Sequence, residues 1–424
     1  MTNLPPEPGA GRPVLSRRAA LLLAGAGAAQ LSLPLLRPPG RPAAAGPPVA
    51  APLRPVVEEL LAARAAALLG RDGAALAAGT APAARPVQQG LLDRMAQVPL
   101  AELSYRLTSF TEPPPGADRI SVAAELGHRL ADLDRYPAVL NRRLELVRLA
   151  EGWRLVSDEP VGAPALWDLG PVKAVRGSRC LVLGLGADQD LAGLAARADQ
   201  AVPAVQSVWG DAWPGRLLLQ LPATELEFAS LLDVRPEPYQ GIAAVTVAAG
   251  GAPEHTPADR IAVNPEAYRG LSELGRRVVI THEATHVATR ADTHAWTPMW
   301  LSEGVADHTA YLGSGRTPRQ IAPALTQEVT AGRLPAALPS DADFTAGADR
   351  IGQAYELSWL ACHVIAHDYG ERQLVGLYRD FGTSGRPVAG ESADAVLDRL
   401  LRGRLGVGAA EFTARWRSEA AFLG

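Results

Sequence analysis

The sequence predicts an α+β protein built from two units, and three observations carry that expectation. Helical periodicity gives way to consecutive alternating strands before residue 160, a strand-helix-strand order begins at residue 179, and apolar helices fill the remainder. Residues 56–69 repeat apolar side chains at helical spacing, and a second, short helix is expected at 87–95. Residues 103–110, 119–130 and 142–157 alternate apolar and polar positions as half-buried antiparallel strands do, with Gly152-Trp153 as a turn or bulge inside the last. After a linker at 161–178 come a buried strand at 180–185, a helix at 191–208, a strand at 216–221 and a helix opening at Ala223-Thr224-Glu225. A strand pair at 242–248 and 260–263 precedes a long helix, and 393–401 and 409–422 read as amphipathic helices with Phe412 and Trp416 on a buried face.

Composition narrows the function classes. A chain of 424 residues with 47% hydrophobic content can bury substantial cores, and its length points to two domains. The formal net charge is −4 and the longest basic run is an arginine pair, so no electrostatic footprint for nucleic acid is present. Arg17-Arg18 followed by an apolar stretch to Leu36 reads as an export signal over residues 1–45, with small residues for cleavage at Ala43-Ala44-Ala45. Its arginine pair is similar to the twin-arginine pattern, although Ala20 stands where an aromatic is usual. The competing reading is an uncleaved anchor; the stretch is at the short end for a hydrocarbon core of about 30 Å and contains Pro34. A secreted or cell-envelope bacterial protein is therefore expected, touching membrane only if the signal is retained. A Pro/Ala/Gly linker at 46–54 leads into the first unit, 55–160, and the second spans 179–424. Cys180 and Cys362 are the only cysteines, which excludes a disulfide framework and leaves open whether the two pair.

The chemistry concentrates in Thr281-His282-Glu283-Ala284-Thr285-His286-Val287, an HExxH in a helix-compatible apolar setting. Two histidines four apart project from one helical face, so both imidazoles reach one Zn²⁺ at about 2.0–2.1 Å while Glu283 sits beside them. Zinc lowers the pKa of a bound water toward about 7, and the adjacent glutamate can take its proton as the water attacks a carbonyl. A bare HExxH also occurs on plain surface helices, so the second segment matters. With sixteen residues between His286 and Glu303, Trp300-Leu301-Ser302-Glu303-Gly304-Val305-Ala306-Asp307 supplies Glu303 as a third ligand near the start of another apolar helix. Asp307, one turn later, is placed to accept the free N–H of a zinc-bound histidine, or to be a solvated helix acid.

Together these segments resemble the peptidase MA-like gluzincins, whose aminopeptidase group pairs HExxH with W-x-x-E-G-x-A; Trp300 through Ala306 fits that pattern throughout. The resemblance spans residue 179 to the C-terminus and implies a zincin-type fold with a helical C-terminal half, Zn²⁺ as cofactor and a peptide or protein substrate. It also implies that Tyr355, in Tyr355-Glu356-Leu357-Ser358-Trp359, donates to the tetrahedral intermediate. One departure is that Gly241-Ile242-Ala243-Ala244-Val245 lacks the acid with which the aminopeptidases hold a free amine, so endo- or exo-activity stays open. The first unit, ending in Glu151-Gly152-Trp153-Arg154-Leu155-Val156, resembles the nuclear transport factor 2-like (NTF2-like) fold, a curved sheet around helices that hosts enzymes and binding modules alike.

His363 and His367 also stand four apart, but no glutamate follows His363, so they read as structural, and His294 and His308 as solvated. The expectation is an exported zinc metallopeptidase with Glu283 as general base. Its rival is a catalytically weak zinc-containing protein whose first unit binds an envelope ligand.

Overall fold

The computed structural model describes residues 52–186, 189–249, 255–345, 350–388 and 390–424. The expected export signal at 1–45 lies outside them. No helix among the described residues is long and apolar enough to cross a membrane.

The chain opens with α1 (Leu53–Gly70), α2 (Gly73–Ala78) and α3 (Arg85–Met95). Arg71, in the left-handed region at φ 56°, ends α1 by returning its N–H to the last carbonyls, and the Asp72 side chain caps α2 by accepting from the Ala75 N–H at 2.9 Å. Four antiparallel strands follow in sequential order: β1 (Leu100–Ser109), β2 (Arg119–Leu130), β3 (Ala138–Leu149) and β4 (Gly152–Val161). Every second residue of β2, from Ile120 to Leu130, is buried, so one face of the sheet meets the helices. The stretch 142–157, expected as a strand with a turn or bulge at Gly152-Trp153, is a hairpin of two strands. Leu149 pairs with Gly152 across Ala150-Glu151, and Gly152 adopts φ 109°, which a side chain would disfavour.

A buried charge cluster fills the space between these helices and strands. Asp158 accepts from Arg64 Nε at 3.1 Å and Nη2 at 3.0 Å, from Arg142 Nε at 2.7 Å and from the Tyr105 hydroxyl. Arg142 also donates to both oxygens of Asp168, at 2.8 and 3.2 Å, and Arg64 Nη2 to Gln88 at 2.8 Å. Burial opposes ionisation of Asp158, yet Arg64 and Arg142 outweigh it and hold the carboxyl below its usual range.

The stretch 161–178, expected as linker, carries α4 (Leu166–Leu169) and β5 (Lys173–Arg176). Both are too short to show a period, and β5 earns its place by pairing antiparallel with β6. The second sheet therefore begins at Lys173 and comprises β5, β6 (Cys180–Gly184), β7 (Leu217–Leu221), β8 (Ala244–Val247) and β9 (Arg260–Val263) in the order β5-β6-β7-β9-β8. β6, β7 and β9 run parallel, and among the described residues β8 is an edge strand paired with β9 alone. Helix α5 (Leu191–Trp209) connects β6 to β7, and α6 (Glu225–Leu231) opens on a Thr224–Glu227 capping box.

Both faces of this sheet are covered. Cys180, Val182, Leu217 and Leu219 face α5 and the helices beyond it. Leu181, Leu183, Leu185 and Leu218 face the other way, into one cluster with Leu91, Met95, Leu103, Leu126 and Trp167 of the first unit. Asp134 of the first unit locks the contact: its carboxylate is fully buried and accepts Arg260 Nη1 at 2.9 Å and Nη2 at 3.0 Å.

The remainder is helical: α7 (Pro265–Arg269), α8 (Glu273–Thr289), α9 (Met299–Tyr311), α10 (Pro318–Ile321), α11 (Pro323–Thr330), α12 (Ile351–Tyr369), α13 (Glu371–Ser384), α14 (Ala393–Leu405) and α15 (Ala409–Ala421). Phe412 and Trp416 of α15 are fully buried as their spacing predicts, and the Trp416 indole N–H donates to the Leu357 carbonyl at 3.3 Å. Both cysteine thiols are free and buried.

Candidate metal centre

Helix α8 starts at Ser272, whose hydroxyl accepts the Gly275 N–H at 3.1 Å, and from Val278 to His286 it is buried on every side. A helix hydrophobic all round would be unremarkable there, but this one carries Thr281, Thr285 and Thr289. Their hydroxyls are satisfied within the helix, donating back to Arg277, Thr281 and Thr285 carbonyls at 2.9, 2.8 and 3.0 Å. His282 and His286 have no such local outlet, and their Nε2 atoms converge to 3.0 Å on one face.

Helix α9 begins after Pro298, with the Met299 N–H held by Asp341 Oδ1 at 2.9 Å. It crosses α12 at close quarters because residue 304 is glycine. A Cβ there would stand 2.4 Å from the Ser358 carbonyl oxygen and 2.6 Å from Cys362 Sγ. The neighbouring Glu303 is thereby delivered to the histidines, its Oε2 3.2 Å from His282 Nε2 and 3.5 Å from His286 Nε2. One turn on, Asp307 Oδ1 meets His282 Nδ1 at 2.7 Å, which orients the ring with Nε2 toward Glu303. The Trp209 indole N–H donates to Thr309 at 3.1 Å and fastens α9 to α5.

His282, His286 and Glu303 are the described residues whose ligand atoms gather closely enough to hold a metal ion. The donor set fits zinc. A tetrahedral site with bonds of about 2.0–2.1 Å needs ligand atoms roughly 3.3 Å apart, against 3.0, 3.2 and 3.5 Å here. Glu303 is wholly buried, and among the described residues its oxygens face no partner but the two imidazoles, whereas a carboxylate in that environment demands a full set of donors or a cation. Burial opposes charge on His282, but Asp307 and then Glu303 overcome it and raise the imidazole well above its ordinary range. Burial likewise raises Asp307 against the pull of His282, whereas the two imidazoles hold Glu303 well below the carboxylate range. The field that favours a proton on His282 favours any cation.

Glu283 lies beside the cluster and is fully buried, and the Thr246 hydroxyl of β8 donates to its Oε2 at 2.6 Å. The Tyr355 ring, on α12, lies 6.2 Å from the His282 ring and meets Phe344 edge-on at 5.5 Å. Its neighbour Glu356 accepts the Ala324 and Leu325 N–H groups at the start of α11, at 3.2 and 2.6 Å. Burial pushes the Glu356 carboxyl up to about 7 despite those two bonds.

His282, His286, Glu303 and Asp307 of the residues singled out from sequence thus converge, with the Tyr355 ring next to His282 and Glu283 between the two histidines in the same helix. The other histidines do not join them. His363 stacks on Trp359 at 5.0 Å, His367 is bound to Asp368 at 2.8 Å, His308 to Glu371 at 3.1 Å, and His294 stacks on Trp296 at 4.7 Å. Of these, His308 is buried rather than solvated. Thr246 and Glu356 escaped the sequence reading. Thr246 carries no motif, and Glu356 signals itself only by being an acid inside an apolar helix.

No family model and no curated protein matches the chain. Among solved structures it is similar to a two-domain M1 zinc metallopeptidase variant bound to L-arginine, at 17% identity over 76% of this chain and 69% of that one, with a TM-score of 0.36. It is similar also to a variant of the M1 zinc metallopeptidase from Deinococcus radiodurans bound to a Tyr-Ser-Ala substrate, at 17% identity over 74% and 69% of the two chains and a TM-score of 0.34. The M1 zinc metallopeptidase from Deinococcus radiodurans itself gives 18% identity over 75% and 69%, with a TM-score of 0.33. The chemistry rests on the geometry of the site.

Proposed function

We propose that the chain is an exported zinc-dependent metallopeptidase that hydrolyses peptide bonds, with an NTF2-like first unit. The observation that carries this reading is the convergence of His282, His286 and Glu303 in a fully buried site where, among the described residues, the Glu303 oxygens face no partner but the two imidazoles. Zinc held by those three would supply a Lewis acid that polarises a carbonyl and acidifies water near neutral pH. Glu283, next to the ligand pair on the same helix, takes the proton from the attacking water and passes it to the leaving amine. Asp307 fixes the tautomer and orientation of His282 through Nδ1. Tyr355, beside His282, donates its hydroxyl to the oxyanion as charge develops, a contribution of about 3 kcal/mol for a well-placed donor. The acid that would capture a substrate's free amine is missing at Gly241–Val245, which favours internal cleavage.

Elemental analysis of the purified chain beside Glu303→Ala, followed by hydrolysis of a quenched peptide library, tests the proposal. One zinc per chain, lost in the variant together with chelator-sensitive cleavage, is expected. Wild-type protein without zinc would sink the metal site, and zinc without cleavage would leave only a binding protein.

A further inference from the structure

The geometry points to Thr246 as a positioning residue that holds the general base through the edge strand; the inference rests on the peptidase reading above. Thr246 is 2% exposed, and its Oγ1 lies 2.6 Å from Glu283 Oε2 and 3.3 Å from the Glu283 carbonyl oxygen. A hydroxyl has one proton to donate. The shorter separation falls in the range of charge-assisted O–H···O⁻ bonds, about 2.5–2.7 Å, so the proton goes to the carboxylate and the carbonyl contact is secondary. This bond ties Oε2 to the strand and sets the rotation of the carboxylate about its own axis, which the helical backbone of α8 alone leaves to a soft torsion.

The strand is itself held in place. Successive side chains of a strand point to opposite faces, so Val245 and Val247 point away from α8. Val245 is 1% exposed in a cluster with Phe228, Leu232, Tyr239 and Ile242, which seats β8 from behind. Threonine adds stiffness of its own, because branching at Cβ restricts χ1. β8 is also an edge strand, with one side not paired in the sheet, and an extended peptide adding there would bond to the same strand that carries Thr246. Substrate backbone and catalytic carboxylate would then share one mechanical reference.

The test uses the zinc-loaded full-length chain with Thr246→Val, which keeps shape and loses the hydroxyl, and Thr246→Ser, which restores it. Expected for Thr246→Val is a kcat about ten- to a hundredfold below wild type, with KM and bound zinc unchanged. Thr246→Ser should recover most of that loss. Independently of turnover, thermal unfolding of the metal-free Thr246→Val, Glu283→Ala and double variants should be non-additive, as two groups in direct contact require. Wild-type kcat in Thr246→Val, a serine variant as slow as the valine one, or additive unfolding would overturn the assignment. A zinc-loaded wild type that cleaves nothing would instead remove the peptidase reading, and the unfolding cycle would still decide whether Thr246 holds Glu283.

Discussion

Two clusters of buried charge sit in this molecule, one in each half, and they are built on opposite principles. In the first, Arg64 and Arg142 balance Asp158 and Asp168, and Asp158 receives donors from three residues. Its one exception is Arg64 Nη1, which has no acceptor. In the second, the carboxylates of Glu303 and Asp307 crowd two imidazoles, neither is paired with an arginine or lysine among the described residues, and Glu303 faces no partner there but the two imidazoles. Burying a charge costs several kcal/mol unless it is paired, so the first arrangement is complete as protein alone, whereas the second needs a cation. The contrast also weighs against an active site inside the first unit. A carboxylate held by two guanidinium groups and a phenol is kept ionised below its usual range, which makes it a weak base.

The comparison can be pressed from both sides. The largest effect is expected at Glu283→Gln, with turnover falling about a hundred- to ten-thousandfold while zinc content, read by elemental analysis, stays at the wild-type value. Metal loss in that variant would place Glu283 among the ligands instead. On the other side, Asp158→Ala strands the buried Arg64, leaves Arg142 with Asp168 alone, and should cost about 3–5 kcal/mol in urea unfolding. Zinc bound per folded chain should not change, since the two clusters share no residue; a drop in zinc would show them to be coupled. Gly304→Ala drives a methyl into Ser358 and Cys362, and the overpacked α9–α12 contact should lose about 1–3 kcal/mol. Because Glu303 precedes it, zinc should also be surrendered faster to a chelator than in wild type.

Glu356 yields the smallest and most specific signal, a pH dependence. Burial pushes its carboxyl up to about 7 in the folded chain, from an ordinary value of 4.5. Between those values the folded chain binds more protons than the unfolded one. Stability conferred by the neutral acid is therefore complete below about pH 4.5 and is lost as pH rises through 7, by roughly 1–3 kcal/mol. Denaturant midpoints for wild type and Glu356→Gln, taken at pH 5 and pH 8, should diverge by that amount; parallel midpoints would mean that the two α11 amides keep the carboxylate ionised after all.

What could be read from the sequence follows the range of the interactions. Helical spacing is local, so His282, Glu283 and His286 announce themselves, and Glu303 and Asp307 repeat the same logic one helix later. β2 coincides with its expected bounds because twelve residues alternate without interruption. The turn or bulge expected at Gly152-Trp153 lies just before it instead, because Ala150-Glu151 carries none of the residues that mark a tight hairpin. Thr246 was illegible for a different reason. It stands 37 residues before Glu283, and sheet register rather than any local pattern brings them together. The same holds for Leu181, Leu183 and Leu218, whose apolarity marks a strand buried on both faces without naming what covers each.

What does cover one face is the first unit, and this bears on how the chain can be handled. Cutting before β5 would strip Trp167, Leu91 and their neighbours from a row of leucines, and would also leave Arg260 without the Asp134 carboxylate. The second half would emerge with an oily flank and a stranded cation, prone to stick to its own copies. The first unit is thus an intramolecular scaffold against which the second sheet consolidates. Removing it would deny that sheet its second wall while leaving His282, His286 and Glu303 untouched.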